Sequence, residues 1–450
     1  TTVYTRLGQT QSVVDGNGNT TTYTYDKNGN QLTAVTALTT TANTYDRAGR
    51  LATTKDANGT VVTLGYDAAS RVLTRTVDAT GLNLITTYAY DPKGQQYTVT
   101  DPNGVVTRIT YDLKGQVLSR AVDPAGLNLL TQYTYDGVGN TLTVIDPNGV
   151  TTQYVYDKLG RRTQTRVDPA GLNLTTAYAY DKNGNVTSRT DPNLQVTRYA
   201  YDAEDQLIFT LDPLGNLQRT KYDAEGRVIQ TVGYAAPIDV TGLGAAPTVA
   251  QIEAKVAAIV NTAKDAIEYR VLDKNGRIVA TVNGLGEVVK FVYDGNGNVI
   301  DRTAYANRIT LASWTVGSVP APTADATRDL RLRTVYDQLN RAIYTIDGTG
   351  AVTRNIYDAN GNVVEHLAYA TPVPVATAAT ASALAAAVLL ATNPQQAGTN
   401  LLTQSEFANG VTDLQAKGGA VTTATMTGLA GAIRLDKDPS VSTYAYKSLT

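Results

Sequence analysis

Apolar and polar positions alternate along this chain in short runs. Tyr133 and Tyr135 are two residues apart, as are Tyr154 and Tyr156, Tyr178 and Tyr180, and Tyr199 and Tyr201. A period of two puts each pair on one face of a strand. The runs span six to nine residues and are rich in Thr, Val, Tyr and Leu, types that suit a pleated, half-buried surface. Turn chemistry punctuates them. Asp112-Leu-Lys-Gly115 and Asp157-Lys-Leu-Gly160 alternate with Asp101-Pro-Asn-Gly104 and Asp146-Pro-Asn-Gly149. In such turns the Asp carboxylate accepts from following N–H groups, Pro sets φ, and Gly takes the positive φ. The pattern predicts strand, turn, strand, turn, repeated as antiparallel hairpins in an all-β repeat fold. Gly115, Gly139, Gly160 and Gly226 are expected at the turns.

The unit is marked by Tyr-Asp, which occurs thirteen times, mostly 21 or 24 residues apart. The site residues are therefore structural: Tyr25 and Asp26, Tyr90 and Asp91, Tyr111 and Asp112, Tyr135 and Asp136, Tyr156 and Asp157, Tyr180 and Asp181, Tyr201 and Asp202, Tyr222 and Asp223. The same dipeptide recurs at Tyr45, Tyr66, Tyr293, Tyr336 and Tyr357. A short repeat cannot bury its apolar face alone, so neighbouring copies must cover one another. Copies in adjacent repeats are expected to stack as tyrosine ladders. Gly-Leu-Asn-Leu at Gly81, Gly126 and Gly171 adds a 45-residue period, so long and short hairpins should alternate along one rim. A β-propeller with one blade per 45 residues fits less well, because the finer unit is itself self-similar.

After Tyr222 the rhythm changes. Residues 1–233 read as regular repeat, and 234–450 as repeat interrupted at about 235–268, 306–330 and 370–435. The interruptions begin in the same phase, at Tyr234-Ala235, Tyr305-Ala306 and Tyr369-Ala370. Thr248-Val-Ala-Gln251 is a capping box, and Ile252, Val256, Ile259, Val260, Ala263 and Ile267 then share one helical face. Asn307–Asp329 contains Pro and predicts a loop with at most a short helix. Ala378–Ala391 predicts an Ala-rich helix, too short and too interrupted by Thr and Ser for a membrane span. Gln404–Ala416 predicts a further helix. Leu272-Asp273 stands where the repeat expects Tyr-Asp.

Taken together, these residues resemble the YD-repeat, or Rhs (rearrangement hotspot), family. Gly149 through Tyr154-Val-Tyr156-Asp157-Lys-Leu-Gly160-Arg161 and Gly215 through Tyr222-Asp223-Ala-Glu-Gly226-Arg227-Val228 carry the likeness. The family includes toxin-complex B and C components, bacterial Rhs effectors and teneurins. The resemblance implies hairpins wound as a spiralling sheet into a hollow shell or tube. It also implies a secreted or cell-surface location in bacteria, and an enclosed toxin as one class of partner. Asp123-Pro-Ala-Gly-Leu127 and Asp168-Pro-Ala-Gly-Leu172 echo the family's cleavage motif but lie mid-repeat, where they read as turns.

Composition narrows the chemistry. A net charge of -2 gives no basic footprint, which argues against nucleic acid. With no Cys, disulfides and thiolate metal sites are excluded. His366 is the only histidine, no nucleophile elbow accompanies it, and it reads as a surface residue. Asp15-Gly-Asn17-Gly-Asn19 and Asp294-Gly-Asn296-Gly-Asn298 space oxygen ligands as a calcium loop does, yet Thr20 and Val299 stand where that loop needs Gly. The expectation is no cofactor and no catalysis. The chain is expected to be a structural segment of a longer polypeptide, part of a β shell or tube that encloses a toxin or builds an extracellular assembly, with a cell-surface adhesin or filament subunit binding glycans or a partner cell as the alternative. Tyr4-Thr5-Arg-Leu-Gly8 and Tyr446-Lys-Ser-Leu449 read as interrupted copies. Both sheet edges are thus expected to meet more of the same polypeptide or identical subunits.

Overall fold

The computed structural model describes residues 1–392, plus two paired dipeptide strands, Ala432–Ile433 and Lys447–Ser448. The helix predicted at Gln404–Ala416 lies outside the described residues. Residues 1–388 form one unit and 389–450 another.

The first unit is built on a single antiparallel sheet of thirty strands, from β1 (Thr2–Tyr4) to β30 (Val363–Ala368). Each strand pairs with its neighbour in sequence, as β15 (Thr151–Tyr156) does with β16 (Arg162–Val167) and β16 with β17 (Leu174–Tyr180). The sheet is open and undivided into blades. Turns alternate between two rims. One carries the Tyr-Asp turns, in which Gly115, Gly139 and Gly160 have φ of 90°, 105° and 76°. The opposite rim carries the Asp-Pro-Asn-Gly type and the longer Asp78, Asp123 and Asp168 turns. In those the Asp itself adopts positive φ, 50–52°, a conformation that a short polar side chain tolerates.

Every hairpin on the tyrosine rim contains a one-residue register shift. Val155 faces Gln164 and Tyr156 faces Arg162, leaving Thr163 extra. The same shift recurs at Tyr25, Tyr111, Tyr222 and Tyr357. A bulge bends its strand and increases the local twist. Placed always on one rim, it coils the ribbon.

The two faces differ. Tyr133 and Tyr135 lie on one. The other carries cross-strand hydroxyl pairs, Thr24–Thr33, Thr44–Thr53 and Thr134–Thr143, with oxygens 2.6–2.7 Å apart. At the same register in the second half stand Ala200–Phe209, Val271–Ala280 and Val335–Tyr344. There the three insertions cover the sheet. Ile238, Leu243, Ile252 and Val256 pack with Ala200, Phe209, Leu211 and Leu217. Trp314 meets Tyr269 edge-on at 5.4 Å. Arg333, buried, donates to the carbonyls of Val375 and Thr377. Before Thr187, no residue of the sheet is buried, so β1–β17 form a single layer.

The first helix is shorter than the pattern predicts. α1 spans Val249–Val256, with the Thr248 capping box formed as expected. It buries Ile252 and Val256, whereas Val260 is half exposed and Ile267 lies in a strand opposite Val232. Past the helix, Asp265 ties the chain back to the start of the insertion. Its carboxylate accepts from the N–H groups of Asn261 and Ala235, closing the insertion at its neck. The second insertion holds one 3-10 turn, Leu311–Ser313. The third forms α2, Ala381–Thr392.

The insertions leave the sheet alike. Ile238, Ile309 and Val373 each donate N–H to the carbonyl of a turn glycine, Gly215, Gly286 or Gly350, at 2.8–2.9 Å. A Cβ on Gly350 would sit 2.0 Å from the Val373 oxygen. Gly104, with a similar φ of 83°, has nothing within 4 Å of that position. Gly104→Ala should therefore cost only the backbone strain, about 1–2 kcal/mol. Gly350→Ala should cost roughly 3 kcal/mol or more, because the insertion must move. Equal costs in denaturant unfolding would contradict this packing.

Candidate functional site: the tyrosine rim and the rim-to-rim clasp

The thirteen tyrosines of the Tyr-Asp pairs share one role. Each hydroxyl donates to a backbone carbonyl of the preceding hairpin, at 2.7–3.3 Å. Tyr25 reaches Thr10, Tyr90 reaches Val72, Tyr111 reaches Gln96 and Tyr135 reaches Val117. Tyr156 reaches Thr141, Tyr180 reaches Arg162, Tyr201 reaches Val186 and Tyr222 reaches Leu207. The rings do not stack on one another as the sequence led us to expect. Successive tyrosine strands are separated by an intervening strand, and Arg162 fills the gap between Tyr154 and Tyr178 at 5.7 and 5.5 Å. Burial pushes the Tyr135, Tyr156, Tyr201 and Tyr222 hydroxyls up, so they stay protonated donors.

The aspartates close the turns. All thirteen accept the N–H four residues on, at 2.8–3.0 Å. Asp26, Asp136 and Asp181 take a second bond from the side chains of Asn30, Asn140 and Asn185. Asp91, Asp112, Asp202 and Asp223 accept the N–H groups of Gln95, Gln116, Gln206 and Arg227. In the degenerate first copy the Thr5 hydroxyl accepts from Gln9 instead.

Where Arg stands four residues after the turn Asp and a tyrosine opens the next hairpin, it ties three groups. Arg161 Nε binds Asp157, its Nη1 donates to the Asp181 carbonyl of the next hairpin, and the guanidinium lies 4.7 Å from the Tyr180 ring centroid. Arg50, Arg71, Arg277 and Arg341 repeat this arrangement. The sequence showed Arg161 without its role. The signal was the Arg placed four residues after Asp.

A second constellation joins opposite rims. The Asp15 turn, between β2 (Thr10–Val14) and β3 (Thr20–Tyr25), meets the Asp294 turn between β25 (Val288–Tyr293) and β26 (Val299–Ala304). Asn17 Nδ2 donates to Asp294 Oδ2 at 2.9 Å, and Asn296 Nδ2 to Asp15 Oδ2 at 2.8 Å. The Asp56 turn, between β6 (Leu51–Lys55) and β7 (Val61–Tyr66), meets the Asp358 turn between β29 (Val352–Tyr357) and β30 in the same way. Asn58 donates to Asp358 at 2.9 Å and Asn360 to Asp56 at 2.8 Å. In both cases the partner is 23 strands further along. An odd number brings the tyrosine rim of one winding against the opposite rim of the winding before. At about 4.8 Å per strand, 23 strands make a girth of roughly 110 Å, a tube roughly 35 Å across.

The two turns considered as calcium loops are thus the two halves of one clasp. Each outer carboxylate oxygen is occupied by two amide groups, Asn19 and Asn296 on Asp15, Asn298 and Asn17 on Asp294. Among the described residues no three His, Cys, Asp or Glu are grouped to hold a metal. His366 is exposed, with Nδ1 2.7 Å from Asn355 Oδ1. No described helix is long and apolar enough to cross a membrane.

Residues 1–166 match the family model for the teneurin YD-shell, and residues 180–215 that for the RHS repeat. No curated protein matched the sequence. Among solved structures, the chain resembles TcdB2-TccC3 without its hypervariable C-terminal region, at 16% identity and a TM-score of 0.45. That alignment covers 82% of this chain and 24% of the other. The Photorhabdus luminescens Tc holotoxin pore carrying TccC3-D651A gives 16% identity and a TM-score of 0.37, over 80% and 24%. The chain therefore spans about a quarter of the length of these structures.

Two outcomes follow. Tyr156→Phe should cost about 1 kcal/mol in denaturant unfolding, the net worth of one hydrogen bond, while Tyr4→Phe, which carries no such bond among those described, should cost almost nothing. Asn19 and Asn296 hold Asp15 at about 2, and Asn362 and Asn58 hold Asp358 at about 2. Both lie below the ordinary value of 3.8, so their contribution is complete above about pH 4 and is lost as pH falls through about 2. Carboxyl chemical shifts followed by NMR should titrate there, and titration near 4 would contradict the clasp. By its repeats, and by the family models that match residues 1–166 and 180–215, the chain is similar to YD-repeat proteins of the teneurin and RHS type.

Proposed function

We propose that this chain is wall: a stretch of β shell that has no chemistry of its own and encloses a polypeptide. One observation carries the reading. The ribbon returns after 23 strands and is fastened to itself rim to rim, which makes a closed girth around a lumen. The single-layer stretch before Thr187 supports it further, since a wall needs no second layer of its own. Over that stretch its stability comes from ladder bonds, tyrosine-to-carbonyl bonds and clasps.

A secreted or cell-surface setting agrees with the family likeness and with a chain free of Cys. The enclosed partner is an unfolded or partly folded polypeptide, for which the tyrosine and threonine faces offer many hydrogen-bonding and half-apolar positions without a shaped pocket. An unstructured polypeptide fused after Thr450 should be cleaved by trypsin more slowly than the same segment fused to a chain whose clasps are opened by Asn17→Asp, Asn58→Asp, Asn296→Asp and Asn360→Asp. Equal cleavage rates would remove the case for enclosure.

A further inference from the structure

The clasps share a sequence that nothing else in the chain has. Asp-(Gly or Ala)-Asn-Gly occurs four times, at Asp15, Asp56, Asp294 and Asp358. All four copies are used, and they pair like with like. The Gly16 turn meets the Gly295 turn, and the Ala57 turn meets the Ala359 turn. We propose that Asp-(Gly/Ala)-Asn-Gly is a self-complementary docking motif, and that its placement along the chain sets the girth of the winding at 23 strands.

Three features make the motif specific. First, Asp and Asn are exchanged reciprocally, so each turn supplies one carboxylate and one amide and receives the same. The backbone joins in: Asn17 N–H donates to Asn296 Oδ1 at 3.1 Å, Asn58 N–H to Asn360 Oδ1 at 3.3 Å, and Asn360 N–H to Asn58 Oδ1 at 3.2 Å. A turn with Lys or Leu at the third position lacks the paired amide donor and carbonyl acceptor. Second, the approach is close. A Cβ on Gly16 would lie 2.0 Å from the Gly295 oxygen, and one on Gly295 would lie 2.0 Å from the Gly16 oxygen. The alanine pair keeps the exchange, so one methyl is the tolerated limit there. Third, every other Asp-x-Asn-Gly turn has a larger second residue. On the rim opposite the tyrosines it is Pro102 or Pro147, and on the tyrosine rim it is Lys27, Lys182 or Lys274. A pyrrolidine ring or a lysine stem adds carbons where one already crowds the partner carbonyl. Those turns are thereby kept from docking out of register, although they have the Asp and the Asn.

The motif therefore works as an address. Bulges coil the ribbon, but coiling alone leaves open how many strands make one winding. Two matched pairs with the same 23-strand offset remove that freedom. A slip by one hairpin would set Asn58 against the Asp337-Gln-Leu-Asn340 turn, which lacks Asn at the third position. Docking of this kind does not depend on the wall enclosing anything. Loss of protease protection with intact clasps would count against enclosure alone.

The absence of Cys gives a clean test. Ala57→Cys with Ala359→Cys should form an intramolecular disulfide under mild oxidation, seen as a gel shift, while Ala57→Cys with Gln338→Cys should not. Adding Asn58→Asp to the first pair sets like charges together and should slow cross-linking by about fivefold or more. Adding Asp358→Asn as well restores one donor and one acceptor and should return the rate. Ala57→Cys with Ala359→Cys plus Asn360→Lys, which removes the exchange without changing the sheet, should also be slow, with an unchanged β circular-dichroism spectrum showing that the fold is kept. Equal cross-linking of the two double-cysteine variants, or no effect of Asn58→Asp, would overturn the proposal.

Discussion

The bond from each tyrosine hydroxyl to a carbonyl of the preceding hairpin is the constraint on which this structure depends. Hairpins in a long antiparallel meander are joined by ladder bonds alone, and a single layer has no core to resist sliding or flexing. The tyrosine adds a side-chain fastening at the bulge, where the ladder is interrupted. It crosses from one hairpin to the one before it, so the fastenings form an unbroken series from Tyr25 to Tyr222. Asp shapes the turn that presents the tyrosine, and Arg50, Arg71, Arg161, Arg277 and Arg341 tie their turns to the next tyrosine ring. The dipeptide is thus a joint in two parts, one residue spanning hairpins and the other closing the turn.

The same joint explains the division of labour between faces. Because tyrosine and its neighbours at period two occupy one face, the other is free to vary. In the first half it bears threonine pairs and stays wet. In the second half Ala200, Phe209, Ala280, Val335 and Tyr344 take the corresponding places, and the insertions bury them. The second insertion leaves the tyrosine side undisturbed. Tyr336 still reaches back to Val299 across it. At the first, Leu272 stands in the tyrosine's place and that fastening is missing, just where α1 and its apolar partners supply a core instead.

The hairpins, their turns and the phase of the insertions were legible in the sequence because each rests on local chemistry: period two, Asp with Gly, and Thr248 with Gln251. What was hidden was geometry between units. Thr163 gives no local sign of being the extra residue of a bulge. Asp265, from beyond α1, closes the neck of the insertion on Ala235, a pairing across 30 residues that gives no local sign. The expected ring stacking failed because an intervening strand separates successive tyrosine strands. Asp15 and Asp294 looked like paired ion sites for a sound reason, since their turns do gather oxygen and amide groups. Their partner was another turn 279 residues away, as the Asn17–Asn296 bond shows, and no local pattern encodes that distance.

The central claim is that the sheet winds upon itself, and single-particle electron microscopy of the chain at neutral pH tests it most directly. A wound ribbon should appear end-on as a ring roughly 35 Å across, one sheet thick where β1–β17 stand alone, whereas thirty strands laid out as an open ribbon would extend roughly 145 Å. Rings would bear out the account. Extended ribbons in the same preparation, with no ring views, would contradict it.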